Sequence, residues 1–163
     1  MNLYHGSNVE VAKPQLVRQT RLLDFGPGFY TTENKIQAIS FSEKVYKRRK
    51  EGSPVVSIYE FNEQAASSAC SLQRFAGPDA DWLEYVSQQR NGSYTGATYE
   101  LIYGAVADDD VYETFSLYVA GVLSKEETLK RLKIKALYNQ MVFASEKALS
   151  FLTFKGILDG RNP

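Results

Sequence analysis

The sequence predicts a single α+β domain, and three observations carry that prediction. Short β-prone runs recur at residues 2–5, 29–31, 55–61, 101–107 and 140–143. Helical segments fall between them without the regular strand–helix–strand rhythm of a parallel sheet, which argues for helices inserted between strands. The 163 residues are 44% hydrophobic and 13% aromatic, with eleven tyrosines and nine phenylalanines. That content suits one β-rich globule with its own core and argues against disorder. No repeat, low-complexity tract or linker divides the chain.

The elements follow in order. A first strand over 2–5 ends at Gly6, and Pro14 marks the loop after it. The Gly26-Pro27-Gly28 turn feeds the strand at 29–31. Thr32 or Asn34 can cap a helix running to about Lys50, with Ile36, Ile39, Phe41 and Val45 expected on its buried side. Gly52 and Pro54 stop it. Its last residues, Lys47-Arg48-Arg49-Lys50, suit the negative end of a helix, or else form a patch for a target or a phosphate. Val55 to Phe61 is a strand, and 63–75 reads as a short helix and then a short strand near Ser71-Leu72-Gln73. Pro78-Asp79 opens a helix through Trp82, Leu83 and Val86 that Asn91-Gly92 closes. A buried strand over 101–107 precedes Asp108-Asp109-Asp110, a cap for a helix over 111–122; a calcium site would need more widely spaced ligands. Ser124 and Glu127 form a capping box for a helix to Lys133. A strand at 140–143, a helical turn at 146–149 and a strand at 152–154 complete the chain.

Nineteen basic and nineteen acidic residues cancel. A neutral chain lacks the bulk attraction behind sequence-independent nucleic-acid binding, although a nucleic-acid target is not excluded. Cys70, the single cysteine, has no internal disulfide partner, and with one histidine it makes a structural zinc site improbable. No apolar run precedes the first strand and no segment is long enough to cross a bilayer, so a cytoplasmic protein is expected.

Two segments carry the chemistry: Leu3-Tyr4-His5-Gly6-Ser7, with the only histidine, and Asp24-Phe25-Gly26-Pro27-Gly28-Phe29-Tyr30-Thr31-Thr32. Alone, His5 could be a satisfied strand histidine, and Tyr30 could be one core tyrosine among eleven. With Val56-Ser57-Ile58-Tyr59-Glu60-Phe61, Gly104-Ala105-Val106-Ala107-Asp108-Asp109, Val111-Tyr112-Glu113-Thr114 and Gln140-Met141-Val142-Phe143, the segments occur in the order of a known pattern. Over nearly all of residues 3–154 the chain resembles a bacterial family of unknown function grouped with the ADP-ribosyltransferases of the His-Tyr-Glu type. Some members of that family lie beside a small antitoxin-like partner.

The resemblance implies two packed, mostly antiparallel sheets around a cleft for NAD, the consumed co-substrate, and an acceptor that is a macromolecule, by default a protein side chain. His5 would hold a ribose hydroxyl through its neutral ring. Gly6 would let the backbone approach the carboxamide, and Tyr30 would stack on nicotinamide. Ser7, Phe29 and Thr31 would line the same site. Arg21 would clamp the pyrophosphate or else pair with Asp24. The acidic third residue is replaced by Gln140, whose amide oxygen can accept from the 2′-hydroxyl but supplies no negative charge to a developing oxocarbenium ion. Glu146, a few residues on, suits helix capping better. Transfer, hydrolysis of NAD and a binding module without turnover therefore all stay open.

Overall fold

Residues 1–18, 20–107, 109–133 and 137–159 are described by a computed structural model of the chain. Seven strands form one mixed sheet: β1 (Asn2–Ser7), β2 (Phe29–Thr32), β3 (Val55–Phe61), β4 (Leu72–Arg74), β5 (Leu101–Ala105), β6 (Asn139–Phe143) and β7 (Leu152–Asp159). Their spatial order is β4-β5-β6-β2-β1-β3-β7. Only β4 and β5 run parallel; the other neighbours are antiparallel. The α+β class and the mostly antiparallel pairing thus agree with expectation. The expected division into two sheets does not, because a backbone bridge joins β1 to β2. That bridge is narrow: β1 and β2 share the single registered pair Tyr4–Thr32, whereas β1 meets β3 at six positions and β2 meets β6 at four.

Six helices are described: α1 (Lys35–Arg49), α2 (Glu63–Ala69), α3 (Ala80–Asn91), α4 (Asp109–Val119), α5 (Lys125–Lys133) and α6 (Glu146–Leu149). Local chemistry sets most of their ends. Asn34 caps α1 by accepting from Gln37 N–H, and Asp79 caps α3 by accepting from Trp82 N–H. Gly92 closes α3 in the left-handed region at φ 74°. Ser124 Oγ accepts from Glu127 N–H at 3.1 Å, while the Glu127 carboxylate pairs with Arg131 instead of closing the capping box. Ser145, not Glu146, caps α6. Asp108 and the side chains of Asp109 and Asp110 lie outside the described residues.

Three expectations are corrected. The buried stripe of α1 is Ala38, Ser42 and Val45, while Ile36 and Phe41 are exposed. Helix α4 ends at Val119, because Val122 N–H bonds back to Leu117 O and Gly121 takes φ 75°. Strand β7 runs on to Asp159, pairing with β3 across an irregularity between Ile58 and Tyr59 that absorbs the one extra residue, Lys155.

Successive strand residues point to opposite faces, so the sheet carries two cores. On one face Ile102 and Val142 meet Phe25, Phe75, Trp82, Leu83, Val86, Val111, Phe115 and Leu132. On the other, Leu3, Phe29, Tyr59, Phe61, Leu101, Met141 and Phe143 meet α2 and α6 through Ala66, Ala148 and Leu149. Helix α1 covers β1 and β3 on the first face, leaving β2 between α1 and the α3–α5 layer. No helix among the described residues is long and apolar enough to cross a membrane.

Candidate functional site

The lone histidine lies where β1 and β2 part. His5 is paired in register with Ser57 on β3, and its ring reaches across to β2. Nδ1 lies 2.7 Å from the Tyr30 carbonyl oxygen. A carbonyl only accepts, so Nδ1 carries the proton and the neutral ring keeps Nε2 as its acceptor. The Phe29 ring braces the imidazole at a centroid distance of 4.4 Å. Burial pushes the His5 pKa below its usual value, helped by the nearby Arg49 charge and opposed by the bond to Tyr30. Nε2 has no hydrogen-bond partner among the described residues.

Strand parity separates the expected residues into two groups. His5, Ser7, Phe29 and Thr31 point to one face, with Thr31 Oγ1 donating to Met141 O at 2.9 Å. Tyr30 and Gln140 point to the other. The Tyr30 hydroxyl is spent on the preceding turn: it donates to Gly26 O at 2.6 Å and accepts from Phe25 N–H at 3.1 Å. Burial raises its pKa far above the ordinary tyrosine value, so it stays a donor. Its ring packs against the first core. Tyr30 therefore fixes the Asp24–Gly28 turn whatever else it touches.

Asp24 was expected either to pair with Arg21 or to be left by it, and the structure gives it a different partner. Arg21 is exposed. The buried Asp24 carboxylate takes Arg90 Nε at 2.5 Å on Oδ1, while Oδ2 accepts from Ala107 N–H at 3.2 Å and from Gln140 Nε2 at 3.3 Å. A carboxylate accepts only, so the Gln140 amide must turn its NH₂ inward and its Oε1 away. Oε1 has no hydrogen-bond partner among the described residues. The arrangement gives a physical reason for glutamine here: a glutamate would set a second carboxylate against Asp24. Asp24 and Arg90 are the members that sequence reasoning missed. Arg90 stands 66 residues away near the end of α3, and no local pattern links the two.

Gly6 has a packing role that the sequence did not disclose. A Cβ there would lie 2.1 Å from Ala38 O and 2.8 Å from Ser42 N, so the missing side chain lets α1 lie directly on β1. Ser7 is nearly buried, with Oγ 3.5 Å from Asn8 Oδ1. Among the described residues no three His, Cys, Asp or Glu side chains converge as metal ligands would. The held side chains His5 and Gln140 thus lie on opposite faces of the sheet beside the β1–β2 seam.

Comparison with curated proteins and with solved structures found no match. A family model described as a protein of unknown function, DUF3990, matches residues 1–154. A match over that much of the sequence makes the chain a member of the DUF3990 family.

Proposed function

We propose that the protein is an NAD-dependent mono-ADP-ribosyltransferase with an ADP-ribosyltransferase-like fold, its NAD cleft lying along the β1–β2 seam. Its acceptor would be a macromolecule, and the sequence resemblance extends the reading to a bacterial toxin restrained by a small antitoxin protein. The observation that carries the reading is the held imidazole. His5 is neutral, fixed in one tautomer by Tyr30 O and braced by Phe29, and its Nε2 has no hydrogen-bond partner among the described residues. A ribose hydroxyl can donate to that nitrogen, while Gln140 lies on the opposite face of the sheet and holds Asp24. In the reaction the bond from the ribose C1′ to the nicotinamide nitrogen breaks, and its electron pair leaves with neutral nicotinamide. A nucleophile on the acceptor then bonds to C1′ and loses its proton. Held polar groups serve such a step through orientation and charge placement.

A second reading, a nucleotide-binding module without turnover, is favoured by one arrangement. The carboxylate beside Gln140, Asp24, is already engaged by Arg90, Ala107 and Gln140. Labelled NAD incubated with the protein and a cell lysate separates the readings. Transfer labels a macromolecule, and His5→Ala abolishes the label while the variant still unfolds cooperatively. Free ADP-ribose without a labelled acceptor would mean hydrolysis. Nicotinamide release at the buffer rate, with NAD still raising the melting temperature, would leave the binding module. The absence of both turnover and protection would overturn the NAD reading.

A further inference from the structure

Neutral overall charge conceals a segregation. Residues 1–50 hold nine basic and four acidic side chains, and residues 51–163 hold ten basic and fifteen acidic ones. The excess positive charge gathers at the end of α1. Arg49 donates to Asn8 Oδ1 at 3.2 Å, while the exposed Lys47, Arg48 and Lys50 side chains have no partner among the described residues. Attraction to the helix C-terminus accounts for cations in this turn. It does not account for the aromatic ring beside them. Tyr46 is 39% exposed and, with Glu43, Lys47, Gly52, Ser53 and Pro54, lines an open recess of about 340 Å³. The recess is held in shape at its base, where Ser53 N–H donates to Asn8 O at 3.0 Å and Asn8 Nδ2 donates to Glu51 O at 3.0 Å.

We propose that the C-terminal end of α1 is a docking surface for single-stranded nucleic acid, with a base in the Tyr46 recess and phosphates on Lys47, Arg48 and Lys50. Cations interleaved with an exposed ring are the pairing that single strands need, because phosphates take the charge and an unstacked base takes the ring face. Glu43 in the recess can accept from an N–H-bearing base edge, while its negative charge beside the ring disfavours an acidic peptide side chain there. Helix α1, which carries this surface, lies on β1, the strand that holds His5. On the transferase reading it names the acceptor class; binding itself is independent of NAD.

Fluorescence anisotropy with labelled RNA and DNA single strands of about 15 nucleotides, the matching duplex and polyglutamate tests it without NAD. Single strands are expected to bind more tightly than duplex or polyglutamate, with affinity falling as salt rises. The triple variant Lys47→Gln/Arg48→Gln/Lys50→Gln should lose at least about tenfold in affinity at low salt and reduce the logarithmic salt slope by about 2. Tyr46→Ala should weaken single-strand binding and leave the slope unchanged. Circular dichroism melts confirm that the variants fold. Absence of saturable binding at about 50 mM salt, equal binding to polyglutamate, or indifference to both variants overturns the proposal. NAD turnover in the triple variant, assayed with water as acceptor, stays unchanged even if docking is lost, so the two readings fail separately.

Discussion

At the scale of single residues, His5 concentrates the site's pH dependence. Its folded-state pKa is depressed, chiefly by burial, so the unfolded chain binds a proton more readily near pH 6. Stability from this group is complete above the unfolded value and is lost as pH falls below about 6.5, down to the depressed folded value. The expected slope approaches about 1.4 kcal/mol per pH unit inside that window. His5→Asn keeps a donor near the Nδ1 position for Tyr30 O and removes the titration. Urea denaturation between pH 7.5 and pH 5 is thus expected to show a flatter profile in the variant; parallel profiles would place the titrating group elsewhere. The sequence made His5 legible because it is the only histidine and stands in a recognisable segment. It could not reveal which ring nitrogen is held, since that depends on a carbonyl 25 residues away.

At the scale of elements, caps and turns were legible and the face of α1 was not. Asp79, Gly92, Ser124 and Asn34 act within a few residues of themselves, so their chemistry can be read along the chain. The buried stripe of α1 depends on what it lies against. Because Gly6 exposes the β1 backbone, the helix approaches closely and only small side chains fit, which selects Ala38 and Ser42 and turns Phe41 and Ile36 outward. Gly6→Ala should therefore force α1 away from β1 and cost about 1–3 kcal/mol, read as a lower urea midpoint. Gly77→Ala, where an added methyl meets nothing within 4 Å, is the matched control and should leave the midpoint within experimental scatter or raise it slightly. Equal effects in the two variants would refute the close-packing account.

At the scale of the whole molecule, Asp24 fastens the loop before β2, helix α3, the segment after β5 and strand β6 together. Contacts between segments 66, 83 and 116 residues apart leave no trace in local pattern, which is why Arg90 was invisible and Gln140 looked like a simple loss of charge. Gln140→Glu should replace a donor–acceptor contact with facing carboxylates. It is expected to destabilise the fold at neutral pH by about 2 kcal/mol or more, with partial recovery in mild acid as the pair takes up a proton. The swap Asp24→Asn/Gln140→Glu should recover part of the loss at neutral pH, because one amide and one carboxylate again face each other. A double-mutant cycle with no coupling would show that the two side chains do not interact.

The lone Tyr4–Thr32 pair gives the sheet a mechanical character. Long ladders resist twisting, so deformation concentrates where only one rung joins two arms. The arm of β4, β5, β6 and β2 and the arm of β1, β3 and β7 are therefore held together there chiefly by side chains and by α1, which lies on β1, β2 and β3. Leu3 and Phe29, one from each arm, are buried in a common core across this joint. Their bulk then sets how stiffly the two arms hold their angle.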